Sequence, residues 1–321
     1  MEILLDNKQG TVWDVSEIVS SPTWKTSRNG KPGRFDFSLI KNSLWQERSF
    51  SYNNGDIVRF RYKGQDVFYG YIFSVDGGKN ESVKIKCYDQ IRYLTNKDTY
   101  VFSNATVTEI VRQIANDFNL RTGILQDSLY RIPAMVEDGQ SLIDIIDKAL
   151  ALTLINADLN YVLYDDFGSL TLRNIEDMLV DFYIGDDSLL HNYSYRRSID
   201  SDTYNKIKVY QDNEETGRRE IYVAQDSGSI ARWGTLQLYQ QADENMNAAQ
   251  IEQMVDTLIQ LKNRETKTLK LDCIGDIRVR AGCYVPVVID EYDINQPFVV
   301  DEVSHRWNGS DHQMQVTLKV V

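Results

Sequence analysis

The sequence is poor in the residues that usually carry chemistry. It holds 3 histidines, 3 cysteines and 5 prolines in 321 residues. Cys87, Cys273 and Cys283 lie far apart and form no CxxC pair. So sparse and odd a set excludes a disulfide framework and a zinc site built on thiolates. They read as inert core thiols of a chain made in a reducing cytoplasm. There, the four N-x-S/T sequons at Asn80, Asn104, Asn192 and Asn308 carry no meaning. His191, His305 and His312 form no HExxH or HxH pair, so neither a metal nor a cofactor is expected. His305 and His312 flank the turn at Asn308-Gly309 and can face each other across a hairpin, where exposure is the expectation. No run approaches the roughly 18 apolar residues of a membrane span. The acidic start, Met1-Glu2-Ile3-Leu4-Leu5-Asp6, lacks the basic region of a signal peptide, so no membrane anchor is expected. Basic residues are outnumbered, 35 against 47, for a net charge of −12. The first hundred residues are mildly basic and the remainder acidic. No segment has the dense basic stripe that specific nucleic-acid binding requires.

What is present points to a packed, mainly β protein. Apolar residues make up 42% and charged residues 26%, enough for a core. The length suggests two or three domains. Residues 1–100 alternate with period two at Arg34 to Ile40, Val58 to Tyr62 and Val83 to Cys87, with an aromatic strand from Asp66 to Ser74 and a hairpin loop at Asp76 to Asn80. Residues 101–190 change period. Thr106-Val107-Thr108-Glu109 is a capping box ahead of Ile110, Val111, Ile114 and Phe118. Ile132-Pro133 reads as an extended connector. A second helix starts at Ser141, with Leu142, Ile143, Ile146, Ala149 and Leu150 on one side. Tyr161 to Tyr164 and Ser169 to Leu172 make a hairpin around Asp165-Asp166-Phe167-Gly168. Residues 191–321 are β again, with one amphipathic helix marked by Ala248, Ile251, Val255, Leu258 and Ile259. The fold class is therefore α+β, mainly β: two β-barrel or sandwich modules, 1–100 and 191–321, separated by a small α+β module, 101–190.

The two β modules echo each other. Gly55-Asp56-Ile57-Val58 matches Gly282-Cys283-Tyr284-Val285 in pattern. Phe68, Phe73 and Ser74 align with Phe298, Val303 and Ser304. Val83, Ile85 and Cys87 align with Met314, Val316 and Leu318. Self-similarity of this kind suggests a duplicated module.

Acidic pairs stand at Asp165-Asp166, Asp186-Asp187 and Glu214-Glu215, each beside glycine or in an expected turn. Turn chemistry accounts for them, since Asp bonds nearby backbone N–H groups. Gly30-Lys31-Pro32-Gly33 lacks the spacing of a phosphate loop and has no helix after it, so it reads as a mobile loop. Trp13, Trp24, Trp45, Trp233 and Trp307 are scattered, as core residues are and a carbohydrate-binding face is not. No catalytic, cofactor-binding or metal-binding residue is therefore expected.

The order of several soft motifs is more specific than any one of them. Phe68-Tyr69-Gly70-Tyr71-Ile72, Cys87-Tyr88-Asp89 with Leu94, and the Thr106-to-Phe118 helix come first. Tyr204-Asn205-Lys206-Ile207-Lys208-Val209-Tyr210, Trp233-Gly234-Thr235-Leu236-Gln237, Ile274-Gly275-Asp276, Arg280-Ala281-Gly282 and the closing Met314-to-Leu318 strand follow. In this order the chain resembles the baseplate hub proteins of contractile phage tails and phage-tail-like particles, the late control protein D-like family. The likeness extends to the hubs of defective prophages and R-type bacteriocins of Gram-positive bacteria. The resemblance implies two tube-like β domains and a non-enzymatic homotrimer in a baseplate assembled in the bacterial cytoplasm. It implies a symmetry adapter around an axial channel, joining a hexameric tail tube or tube initiator to a trimeric central spike and other baseplate proteins. Two alternatives remain at this level: a cell-wall hydrolase using carboxylates such as Asp165 and Asp186, and a glycan-binding tail module.

Overall fold

The computed structural model describes residues 1–40, 50–79, 81–213, 217–242 and 246–320. Trp45, Asn80 and the pair Glu214-Glu215 lie outside the described residues. The chain divides into two compact units, residues 1–193 with 270–318, and residues 194–269.

The first unit opens with seven strands: β1 (Glu2–Asp6), β2 (Val12–Asp14), β3 (Val19–Ser27), β4 (Arg34–Ile40), β5 (Ile57–Tyr62), β6 (Gln65–Asp76) and β7 (Ser82–Tyr88). Their order in the sheet is β3-β4-β7-β6-β5-β1-β2, with antiparallel neighbours throughout. Period-two alternation does the sorting: β4 buries Phe35, Phe37 and Leu39 and turns Arg34, Asp36 and Ser38 outward. Phe60, Phe68, Ile85, Cys87 and Trp24 complete this core, together with Trp307 from the far end of the chain.

A 3₁₀ turn at Gln90–Thr95 leads into β8 (Lys97–Ala105), α1 (Val107–Asp117), β9 (Thr122–Leu125), β10 (Ile132–Ser141), α2 (Leu142–Ala157), β11 (Tyr161–Asp165) and β12 (Leu170–Asn174). Both halves of the Thr106–Glu109 capping box form, and Ile110, Val111 and Ile114 are buried. Ser141 caps α2, which buries Ile145 besides the expected Leu142, Ile143, Ile146 and Ala149. The β11–β12 hairpin turns through Phe167 and Gly168 at φ 45° and 86°, the mirror-image turn that suits the twist of two strands. Ile132-Pro133 opens no connector but starts β10, antiparallel to β8. A two-stranded ribbon leaves an edge free of ladder bonds, which is where a strand tolerates proline.

Two short steps, β13 (Ile184–Gly185) and β14 (Leu190–Ser198), lead to the second unit: β15 (Lys206–Asn213), β16 (Arg218–Gln225), α3 (Ser227–Trp233), β17 (Gln237–Gln241) and α4 (Ala248–Lys262). Its sheet runs β16-β15-β17, and Ile207, Val209, Ile251 and Val255 form its core. The sequence pattern does not announce α3, a helix of seven residues, because it is too short to show a period.

The chain then returns through β18 (Thr266–Ile274), β19 (Tyr284–Ile289), β20 (Ile294–Asn308) and β21 (Asp311–Val320). These strands lie in the order β14-β18-β21-β20-β19, the same order as β3-β4-β7-β6-β5. The likeness extends to single hydrogen bonds. Gly55 N–H donates to Ile72 C=O and Ile72 N–H to Asp56 C=O, at 2.8 and 2.9 Å; Gly282 N–H donates to Val300 C=O and Val300 N–H to Cys283 C=O, at 2.8 and 2.9 Å. Both glycines hold positive φ, 92° and 89°. Ile72 pairs with Cys87 and Val300 with Leu318, each followed by a register shift. Val83, Ile85 and Cys87 thus correspond to Met314, Val316 and Leu318, as their pattern predicts. The aromatic alignment was two residues off: Ser74 and Val75 correspond to Glu302 and Val303, and Gly70, not Phe68, corresponds to Phe298. Register follows the bulge and the ladder, not the residue type. The two copies merge because β20 also pairs with β3, from Glu302 opposite Ser27 to Arg306 opposite Thr23.

Candidate functional site

Several of the motifs that carry the resemblance meet in two buried clusters of the first unit. In the first, Asp89 follows β7 and accepts hydrogen bonds from the N–H groups of Gly33 and Ile91, at 2.8 and 3.1 Å. Asp165 ends β11 and accepts from Gly168 N–H at 2.6 Å, and its other oxygen is buried. Arg280, in the loop before β19, stacks on Tyr164 at 3.7 Å and donates to the Asp165 carbonyl at 3.1 Å. Burial, reinforced by the charge of Asp165, raises the Asp89 carboxyl well above the usual range. Burial also raises Asp165 to about 6, against the pull of the Gly168 hydrogen bond and the Arg280 charge. Two glycines make room here. A Cβ on Gly33 would fall 2.3 Å from Asp89 Oδ2, and one on Gly282 would fall 2.7 Å from Val162. The end of β7, the β11–β12 hairpin and the loop before β19 thus meet at largely buried polar groups, with Arg280 bonding the hairpin directly.

The second cluster corrects the reading of the histidines. His305 is fully buried and His312 is half-buried, where exposure was expected. Hairpin geometry does set them across from each other, with His305 Nδ1 at 3.0 Å from His312 Nε2. His305 Nε2 lies 2.8 Å from the Val279 carbonyl, which can only accept. His305 therefore donates through Nε2 and accepts at Nδ1, and His312 donates through Nε2. The His305 ring is neutral in this arrangement. Burial lowers the pKa values of His305 and His312 to about 3 and about 4. Trp24 stacks on His305 at 5.0 Å, and Trp307 stacks on His312 at 4.4 Å. Gly275 fits against His312, since a Cβ there would sit 2.3 Å from the ring. The period-two pattern places alternate residues of β20 inside, and His305 shares that phase with Val303 and Trp307. That phase was the available signal of burial.

Other expected positions are dispersed. Asp166, Asp186, Asp187 and His191 are exposed. The structure brings Asp165 together with Asp89, not with Asp186. The loop at Gly30-Lys31-Pro32-Gly33 makes several contacts: Lys31 pairs with Glu302 at 2.8 Å, Arg28 N–H donates to Asp301 C=O at 2.9 Å, and Gly33 N–H donates to Asp89 at 2.8 Å. The three cysteines are free and buried. In the second unit, Asn205 is fully buried and joins two motifs, donating to Gly234 C=O at 2.7 Å and accepting from Leu236 N–H at 2.8 Å. Among the described residues, no group of three or more His, Cys, Asp or Glu side chains could hold a metal ion. No helix among them is long and apolar enough to cross a membrane.

This architecture is that of phage tail proteins. The 43 kDa tail protein of prophage MuSo2 from Shewanella oneidensis superposes with a TM-score of 0.73 over 99% of this chain and 98% of its own, at 13% identity. The chain belongs to the YQBQ-like family, whose profile matches residues 22–319. It is 31% identical to the YqbQ protein of Bacillus subtilis strain 168 over 83% of this chain and 82% of that one. It is 30% identical, over the same shares, to the phage-like element PBSX protein XkdQ of that organism. The resemblance to tail proteins read from the sequence holds.

Proposed function

We propose that the chain is a structural hub in the baseplate of a phage tail or phage-tail-like particle. In this reading three copies form a ring around an axial channel, a symmetry adapter between a hexameric tail tube and a trimeric spike. The working modules are residues 1–100 and 191–321, with 101–190 as the insert that meets other baseplate proteins. The observation that carries this is the duplication, down to the matched bonds at Gly55–Ile72 and Gly282–Val300. Two similar modules per chain give three chains six similar positions, which is what a joint between sixfold and threefold parts requires. The open edges support it. Strand β3 covers the edge of β20 beyond Val300, whereas no strand covers the corresponding edge of β6 beyond Ile72 among the described residues. The strand equivalent to β3 is β14, which has no partner on its edge away from β18 among the described residues. Pairing of β14 of one copy with β6 of the next would repeat the β3–β20 seam around the ring.

The hub has no catalytic role in this reading. Asp89 and Asp165 are 6% and 9% exposed and serve turns and caps, whereas a hydrolase must present its acid to substrate. Sedimentation of the full chain, alone and with its spike and tube proteins, tests the proposal. The expected particle has three times the 37.1 kDa mass of one chain. A chain that stays monomeric with both partners refutes it. A zymogram with cell walls is expected to show no lysis; lysis that Asp165→Asn abolishes would favour the hydrolase.

A further inference from the structure

The outward face of the sheet carries a cleft of about 490 Å³ across the β3–β20 seam. Its floor is one register row. Gln315 lies opposite Ser304, Ser304 opposite Lys25, Lys25 opposite Arg34, and Arg34 opposite Tyr88. Five strands at roughly 4.8 Å make the row about 19 Å long, the reach of an extended segment of about six residues. Four cations line the cleft, Lys25, Lys31, Arg34 and Arg92. Two have their own carboxylates: Arg34 with Asp36 at 2.7 Å and Lys31 with Glu302 at 2.8 Å. Lys25 and Arg92 have none among the described residues. Arg92 donates to the Thr95 hydroxyl and lies over the Phe73 ring. A protein of net charge −12 thus places in one trough two cations with no carboxylate partner among the described residues, beside the hydroxyls of Tyr88 and Ser304.

We propose that this cleft binds an extended protein segment bearing two or more carboxylates. Guanidinium and ammonium groups with flanking hydroxyls form charge-assisted hydrogen bonds to carboxylates. The length of the row suits a strand-like segment better than a single ion. Nucleic acid fits less well, because Glu302 and Asp36 already pair with Lys31 and Arg34, and the two remaining cations match two discrete carboxylates rather than a continuous phosphate backbone. The inference does not depend on the hub reading, since it concerns one copy of the chain.

Fluorescence anisotropy with a labelled hexapeptide of alternating glutamate and serine tests it on the full chain. Saturable binding is expected, weakening as salt rises. The glutamine-for-glutamate peptide should not bind. Lys25→Glu and Arg92→Gln should each weaken binding roughly tenfold or more. Lys25 is exposed, so its variant should melt like the parent, and Lys25→Gln repeats the test without charge reversal. Equal binding of the glutamine peptide, no binding of the acidic one, or unchanged affinity in both Lys25 variants overturns the proposal. So does a single-stranded oligonucleotide of similar length that binds more tightly and loses affinity in the same variants, which would assign the cleft to phosphates.

Discussion

At the residue scale, burial sets when protons bind. Asp165 moves from an ordinary value of 3.8 to about 6 on folding. Between these values the folded chain holds the extra proton, so the stability this group contributes is full below 3.8 and is lost as pH rises through about 6. His305 moves the other way, from 6.5 to about 3, and His312 from 6.5 to about 4. There the unfolded chain holds the extra protons, and stability is lost as pH falls below 6.5. The two effects oppose each other. Asp165→Asn keeps an acceptor for Gly168 N–H and removes one of them. Its melting temperature should rise more steeply from pH 4 to 6.5 than that of the parent, and at pH 7.5 it should be no lower. Parallel curves would show that Asp165 is not the group responsible. Gly275→Ala makes a steric test, since its Cβ would strike the His312 ring at 2.3 Å. Urea unfolding should show a loss of about 1–3 kcal/mol. At Gly78 an added Cβ would meet no atom of the described residues within 4 Å, and Gly78→Ala should stay within about 0.5 kcal/mol.

At the element scale, two polar side chains hold their surroundings in place by satisfying backbone groups. Thr106 caps α1 through Glu109 N–H, and Thr106→Ala should cost about 1 kcal/mol in urea unfolding. Asn205 holds the turn after α3. Asn205→Ala leaves the partly buried Leu236 N–H without its acceptor, at a cost of about 1 kcal/mol. The loss should appear in the transition of residues 194–269, where Trp233 is the single tryptophan and so reports that unit alone. A shift confined to the signals of the other tryptophans would contradict this placement. These elements were largely legible beforehand: the capping box, the Asp165-to-Gly168 hairpin and α4 rest on local rules. Strand β10 was missed because Ile132-Pro133 describes only a local conformation, and its partner β8 lies about thirty residues earlier.

At the scale of the whole molecule, the seam and the open edges matter. Trp307 is 1% exposed and lies in the core of the first module although it comes from the last hairpin. Trp307→Ala should cost about 3–5 kcal/mol, read by urea unfolding. For the proposed ring, Arg196 and Arg197 are adjacent residues of β14, so their N–H groups point to opposite strand edges. One of Arg196→Pro and Arg197→Pro should abolish the trimer in sedimentation while leaving the circular dichroism of the chain unchanged. Retention of the trimer in both would exclude β14 as the joint.

Local pattern in the sequence determined most of the strands, the caps, the hairpin turns and the repeat of Val83, Ile85 and Cys87 at Met314, Val316 and Leu318. These features depend on residues close in the chain, where alternation and turn chemistry act directly. Tertiary structure alone decided that His305 is neutral and stacks on Trp24, that Asp165 meets Asp89 and Arg280, and that β20 joins β3. Those contacts bring together residues from 76 to 283 positions apart, and their energies come from desolvation and ladder bonds that exist only once the sheet has closed.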